Sequence, residues 1–585
     1  MIEAEKTLDI LLVTYRFGAD ITGGAERYLW GLSERLSQRG HRVKVITTCS
    51  RDFYLSPLGY LVWDSHYPEG EREEDGIQVA RFAAENLSPR RARRYRDAIM
   101  RFEETIKRDP EGLGLFVDLL RGRKEHCFLV GWKVPEDWID GPAMWMVGEG
   151  ILVAGGDEID AVVAEFDCLE KVKMTLDANG ARRDFPLHRG RVKVEMELPG
   201  LPSVAIRFTC SSTRRKRKGP LVALRSLMVR DKEGWRELRL ARSWQDFLGS
   251  GPEEVICELL WKWGDRMPEA LAARHALLYG PNSEEMSEAV TEAAGSADLV
   301  LAAMLPMATM EMAGEAARRW NKPLISIPLF HPRDPNHYRK SAWDAIRISA
   351  GVEVFHEGAV SLLSSRGIRA FGLGPGFDEH GVEPRRCDGK RLREELGLDD
   401  QPMLLWVGRK NEGKGYPEAI EALSILRGKG IDAVLVMVGP EEDGKPISGE
   451  GVFYLGKVDR ETLLDAYAAS TLLIHPSIHE SFCMVFGEAW LMERPVLGSS
   501  YCLAARSLIR DGENGFLCTD PEDYAEKAEW LILRPEVARS MGRKGKERVL
   551  SLRRWDRVIE AMEEELIDVV KQSKSGAESH PKDVI

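Results

Sequence analysis

Two stretches of this chain alternate wholly apolar runs with amphipathic ones, and that alternation commits each to a parallel sheet covered by helices. In the later stretch, from about residue 400, MLLWVG reads as a strand, YPEAIEALSILRGKG as a helix and AVLVMVG as a strand. GVFYLG, ETLLDAYAAS, TLLIHPS and RPVLGSS continue the series, and beyond Pro521 the chain reads as helical to roughly residue 572. The earlier stretch opens with LDILLVTY, residues 8 to 15, followed by the glycine turn ITGGAERY. In the run that comes next, Leu29, Leu32 and Leu36 fall at helical spacing, with Gly40 where a C-terminal cap belongs. HRVKVITT then closes a βαβ unit.

Between the two stretches the helical period vanishes. From about residue 127 to 243 the short segments GILVAG, AVVAEF, KVKMTLDA, RVKVEMEL and SVAIRFTC are spaced by turns such as DANG and ELPG. That pattern predicts a β-sandwich of about 110 residues. It is expected as an insertion, because strand–helix–strand order resumes over residues 298 to 329. The expected organisation is a first Rossmann-like domain in two parts (1–124 and 249–378), the inserted sandwich (125–248) and a second Rossmann-like domain (379–550). A helix crossing back (551–572) and a flexible tail (573–585) follow.

A chain of 585 residues is too long for one core. Its net charge of -12 argues against general nucleic-acid binding, since a phosphate backbone rewards the opposite sign. Nine cysteines without a CxxC pair fit neither a disulfide framework nor a zinc site, so a reducing compartment is expected. The acid-containing start runs straight into a strand and is not read as a signal peptide. The longest apolar stretch, around residues 299 to 310, is about a dozen residues and contains Pro306, short of the roughly 20 a bilayer needs. The expectation is a soluble cytoplasmic protein, with at most a peripheral contact on the inner membrane face.

Chemistry concentrates at the ends of the expected strands. PSIHESFCMVFGEAW, residues 476 to 490, places Glu480 in a loop and Glu488 on the helix that follows. Two carboxylates there can accept hydrogen bonds from sugar or ribose hydroxyls, although acids at a helix start also serve only to offset the dipole. In GRKNEGKG, residues 408 to 415, Arg409 and Lys414 flank a flexible turn after a strand. Such a pair suits a diphosphate; a solvated basic loop is the alternative. GGAER, from Gly23, frees backbone amides for an anion, or is simply a tight turn. His331 ends an expected strand, with Asp334 and His337 nearby, and either faces a cleft or is a satisfied polar group at a domain edge. RRKRK at 214 to 218 reads as an exposed hairpin loop, more weakly as a site for an anionic surface. Trp132, Trp138 and Trp145 read as core rather than as sugar-stacking platforms. No DxD, HExxH or Walker-type sequence is present, so no catalytic metal and no cofactor are expected.

Taken in order, these motifs resemble retaining glycosyltransferases of the GT-B fold, glycosyltransferase family 4 (glycosyl transferases group 1). The resemblance covers residues 8–120 and 255–572. It is carried by Gly23, Gly24 and Glu26, by Arg409 and Lys414, by Glu480 and Glu488, by GLGPGFD around Gly376 and Asp378, and by DGENGFL from Asp511. It implies two Rossmann-like domains facing a cleft. It further implies that Arg409 and Lys414, with Gly23 and Gly24, hold a donor diphosphate and that Glu488 binds the ribose. Glu480 and His331 would stand beside the reacting sugar, and Ser481, Phe482 and Cys483 would form the donor-sugar loop. Two departures stand out. Cys483 fills a place where the family has Gly, and YCLAARS replaces a GG-x-x-E element, with Ser507 where the acid belongs. The function so implied is transfer of a sugar, with retention, from a nucleotide-diphosphate donor to a glycan or lipid-linked acceptor. A glycan-binding or assembly subunit and a nucleotide-sugar 2-epimerase are the alternatives.

Overall fold

The structure, a computed structural model, describes residues 7–21, 23–55, 61–108, 127–133, 144–178, 180–212, 222–238, 253–377, 387, 389–478 and 480–578. The RRKRK run, Trp138 and Asp378 lie outside the described residues, as do the side chains of Trp132 and Trp145. The chain divides into two compact units, Met1–Arg96 with Met267–Ile585, and Asp97–Arg266.

Six strands precede the second unit: β1 (Asp9–Val13), β2 (Arg42–Thr48), the hairpin β3 (Phe53–Leu55) and β4 (Leu61–Trp63), β5 (Gly70–Glu74) and β6 (Ile77–Phe82). Helix Gly24–Gln38 joins β1 to β2 and buries Tyr28, Leu29, Leu32 and Leu36, the face that its spacing predicts. Gly40 follows it at φ +93, the left-handed geometry that a helix terminus of this kind requires.

The second unit holds β7 (Cys127–Lys133), β8 (Met144–Cys168), β9 (Val172–Ala178), β10 (Ala181–Leu187), β11 (Gly190–Ser212), β12 (Val222–Asp231) and β13 (Gly234–Glu237). Here the expectation of many short strands is corrected. GILVAG and AVVAEF are parts of one strand of 25 residues, and RVKVEMEL and SVAIRFTC of another of 23. Where DANG is expected as a turn, β9 and β10 do form a hairpin, with Ala178 paired to Ala181 and Gly180, at φ +93, donating its N–H to Asp177 Oδ1 at 2.9 Å. ELPG is not a turn: it is an irregularity inside β11, where pairing with β8 slips between Glu197 and Leu201 and again before Ser203. Hydrogen bonds join all seven strands into one sheet, in the order β10-β9-β11-β8-β12-β13 with β7 beside β8. Its core alternates along the strands through Val162, Ala164, Phe166, Met174, Leu176, Val194, Met196, Ile206 and Phe208.

The first unit resumes with β14 (Leu299–Ala303), β15 (Leu324–Ile327), β16 (Gly351–Glu353) and β17 (Ala370–Phe371). These complete an eight-stranded sheet, β17-β16-β15-β14-β1-β2-β6-β5, in which only β5 runs antiparallel to its neighbour. A second, wholly parallel sheet follows from β18 (Met403–Val407), β19 (Val434–Val438), β20 (Val452–Tyr454), β21 (Leu472–His475), β22 (Val496–Ser499) and β23 (Gly515–Cys518). Its order is β20-β19-β18-β21-β22-β23. Helices cover both faces, which is why β18, β19, β21 and β22 are buried at every position. The α/β expectation therefore holds, with two doubly wound sheets. The last helix, Trp555–Glu578, runs past residue 572 and packs on the first sheet's helices, where Glu563 accepts hydrogen bonds from Arg39 and His41.

Candidate functional site

In the second sheet β18 and β21 are neighbours, but the chain leaves them in opposite directions, toward β19 and toward β22. A crevice opens at the carboxyl ends of two such strands. The loop after β18 ends in a short turn, Glu412–Lys414, pinned from within by Trp406, whose indole N–H donates to the Lys414 carbonyl at 3.1 Å. Gly415 then takes φ +71, and a Cβ there would lie 2.5 Å from the backbone carbonyl carbon of Pro476 in the loop after β21. The two loops touch, and their side chains meet across the crevice. Lys414 Nζ donates to Glu480 Oε1 at 2.6 Å, and His475 Nε2 lies 3.0 Å from the same oxygen. Burial pushes the pKa of Glu480 up, but Lys414 and the His475 hydrogen bond outweigh it and hold the carboxyl well below the usual range. Glu480 is thus an anion in a site that is mostly closed to water.

Beyond Glu480 the chain turns through Ser481, which is half-buried, and Phe482, which is buried between Phe355 and Phe377. Cys483 has φ 67 and ψ 61, the left-handed conformation in which glycine is at ease, and starts helix Met484–Leu491. The first block approaches at this point. A Cβ on Gly24 would lie 3.2 Å from Met484 Cγ. Gly23 packs over the carboxylate of its own helix's Glu26, which Tyr15 and Arg16 hydrogen-bond. Glu488, on the same helix as Met484, is buried and already engaged: Oε1 accepts from Arg460 at 2.8 Å and Arg27 at 3.1 Å, and Oε2 from Tyr467 at 2.9 Å. Burial raises its pKa; Arg460 and Arg27 bring it below the ordinary value. A ribose at Glu488 would share or displace these donors.

His331 follows β15 of the first sheet. Its backbone N–H donates to His337 Nδ1 at 3.1 Å, and the two rings meet edge to face. Burial above all, then His337 and Lys414, push its pKa well down, while Glu480 and Asp334 oppose them. His331 is thus within electrostatic reach of the Lys414–Glu480 pair. Arg409 stands apart: its exposed guanidinium pairs with Glu442 at 3.1 Å. The neighbouring Lys410 is fully buried and clamps the 441–445 segment through Glu441, Asp443 and the Lys445 carbonyl. Burial works against its charge, but Asp443 and Glu441 keep its pKa above the ordinary lysine value. Ser507 Oγ lies 3.2 Å from His356 Nδ1 of the first block.

The structure therefore brings Lys414 and Glu480 into contact, leaves His331 within electrostatic reach of that pair, and sets Glu488 on the helix whose Met484 faces Gly24; Arg409 pairs instead with Glu442. Sequence reading missed His475, Lys410, Arg27, Arg460 and Tyr467. His475 is a single histidine after an apolar run, Lys410 hides among loop charges, and the other three sit on helices with no local signature. Among the described residues no group of three His, Cys, Asp or Glu side chains is arranged to hold a metal ion, and no helix is long and apolar enough to cross a membrane.

Residues 388–548 match the family model described as Glycosyl transferases group 1. Over 193 residues the chain is 30% identical to the trehalose synthase of Pyrococcus horikoshii, covering 30% of this chain and 46% of that one. Over 176 residues it is 30% identical to the alpha-D-kanosaminyltransferase of Streptomyces kanamyceticus, covering 28% of this chain and 44% of the other. The chain spans about half the length of the curated relatives it matches. Among solved structures, sucrose-phosphate synthase from Thermosynechococcus elongatus aligns with 96% of this chain and 99% of its own, at 14% identity and a TM-score of 0.49.

Proposed function

We propose that this chain is a glycosyltransferase that moves a sugar from a nucleotide-diphosphate donor to a glycan or lipid-linked acceptor, with retention at the anomeric carbon. One observation carries the reading: an ammonium, Lys414, and a largely buried carboxylate, Glu480, meet at the switch point of a parallel sheet inside the segment that matches the glycosyl transferases group 1 model. Departure of a nucleoside diphosphate builds negative charge on oxygen, and a fixed ammonium beside it stabilises that charge. Breaking the glycosidic bond builds positive charge on the sugar, which the Glu480 carboxylate offsets. In this reading Arg409 swings from Glu442 to the diphosphate, Glu488 receives the ribose, and His331 reaches the sugar from the first block. The β-rich unit takes part in choosing the acceptor.

A thermal-shift screen of the full chain against UDP-glucose, GDP-mannose, dTDP-glucose and ADP-glucose tests it, because a ligand that binds only the folded state raises Tm by mass action. At least one donor is expected to raise Tm in the native chain and to lose that effect in Arg409→Ala with Lys414→Ala. No shift with any of the four, together with no nucleoside diphosphate release on adding glycan acceptors, would refute the transferase reading. A binding subunit without turnover is the second reading, supported by the Ser507–His356 contact that stands where the family's acid is expected. It predicts a donor-independent affinity for glycans that Glu480→Gln leaves intact.

A further inference from the structure

Both donors that hold Glu480 reach the same oxygen. Lys414 Nζ and His475 Nε2 converge on Oε1, and Oε2 receives no hydrogen bond among the described residues. The two donors differ in what they can fix. An ammonium on a flexible four-carbon stem is a point charge with three rotatable donors, so it attracts a carboxylate without setting its angle. An imidazole is planar and offers its N–H along one direction. His475 is the last residue of β21, registered against Gly498 of β22 in the middle of the sheet. Its ring is buried and stands edge-on to Phe486, with centroids 5.9 Å apart and planes at 88°. The direction of its N–H is therefore inherited from the sheet.

Glu480, as an anion, can only accept, so Nε2 must carry the hydrogen. Nδ1 is buried and has no hydrogen-bond partner among the described residues. A buried ring nitrogen left without a partner contributes nothing to holding the ring, so the ring's orientation is set by its packing and by its Nε2 contact. Among the described residues the ring's one polar contact is Glu480.

We propose that His475 is a positioning residue for the sugar-transfer step: it turns the Glu480 carboxylate so that Oε1 stays locked and Oε2 is presented to the substrate. This rests on the reading of Glu480 given above. Lys414 supplies the opposing charge, and His475 supplies the angle.

The test uses the full chain and nucleoside diphosphate release from UDP-glucose, GDP-mannose, dTDP-glucose and ADP-glucose. His475→Phe keeps the ring and removes the N–H; kcat is expected to fall about 10- to 100-fold, as for a misoriented group, with donor KM within about threefold. In His475→Gln the amide nitrogen reaches the place of Nε2, so kcat returns to within about threefold of native and the pH–rate profile overlays the native one. If the Phe variant does not fold, His475→Asn, whose amide stops short of Oε1, is expected to show the same loss. Native kcat in the Phe or Asn variant overturns the proposal, as does a Gln variant that stays slow with a shifted pH profile, since the ring's proton would then take part. Glu480→Gln separates the two levels: if it is inactive while His475→Phe is active, only the role of His475 fails, whereas native activity in Glu480→Gln sinks the reading of Glu480 itself. Should none of the four donors turn over, ¹⁵N NMR of the labelled chain decides. A His475 ring protonated at Nε2, with a resonance that moves in Glu480→Gln, supports the proposal, and a ring protonated at Nδ1 alone overturns it.

Discussion

Glu480 keeps its charge against burial only because of the donors around it, so its ionisation is open to engineering. In Lys414→Ala the larger opposing influence is gone and the pKa climbs. A carboxyl held below its ordinary pKa contributes stability above that value and gives it up as pH falls. Without Lys414 that contribution shrinks. The acid limb of kcat/KM should move to higher pH, which a profile of native and variant chains would show; an unmoved limb would mean that another group sets it. Cys483 allows a sharper test of backbone geometry. Its left-handed φ costs any side chain about 1–2 kcal/mol relative to Gly. Cys483→Gly trades that relief against a lost buried thiol and is expected within about 1 kcal/mol of native, whereas the branched Cys483→Val should lose about 2 kcal/mol or more. Urea midpoints decide, and equal losses in both would remove φ as the cause.

At the scale of elements, the site depends on how closely the loops after β18 and β21 approach. Gly415 is where they touch. Gly415→Ala puts a methyl 2.5 Å from the Pro476 backbone on a residue at φ +71, which should cost about 1–3 kcal/mol. Because the loops must part to accept it, Lys414 draws away from Glu480 and donor KM is expected to rise about tenfold. A fall in Tm with unchanged KM would show that the loops separate without disturbing the pair. These elements were largely legible in the sequence: the apolar runs of the second sheet and their turns announce strands, because burial on both faces leaves no room for polar residues. Two features were not legible. ELPG carries every mark of a turn, yet the pairing of β11 with β8 on both sides of it overrides local preference and makes it a bulge. His475 carries no mark at all, since its partner is set by where the loop after β21 returns and not by any neighbour's identity. The Arg409–Glu442 pair was not legible either, because the two residues lie 33 positions apart and only the fold brings the loops that carry them together.

Across the whole molecule, the chain passes between its two sheets twice, and Glu353 is buried beside both crossings. Tyr28 donates to its Oε1, and Arg553, near the second crossing, gives its hydrogens to the carbonyls of Phe355 and Gly372. Burial pushes the carboxyl up to about 8, with Tyr28, Arg553 and the Gly374 amide pulling the other way. The native state therefore holds a proton that the unfolded chain releases near its ordinary pKa of about 4.3. Stability falls as pH rises through that window and levels off above about 8. Glu353→Gln should remove this dependence, raising Tm relative to native more at alkaline than at mildly acid pH. A difference in Tm that is flat with pH would count against the buried proton. The global layout of two doubly wound sheets could be read from the alternation of strand and helix, but this junction could not, because Tyr28, Glu353 and Arg553 lie hundreds of positions apart.

The same separation bears on biosynthesis. β1 hydrogen-bonds to β14 as well as to β2, so one edge of β1 stays open until residue 299 has been translated. At ribosomal speed that wait is on the order of tens of seconds. An unpaired strand edge with Ile10 to Val13 apolar is expected to draw chaperones during that time and, where these are scarce, to seed aggregation.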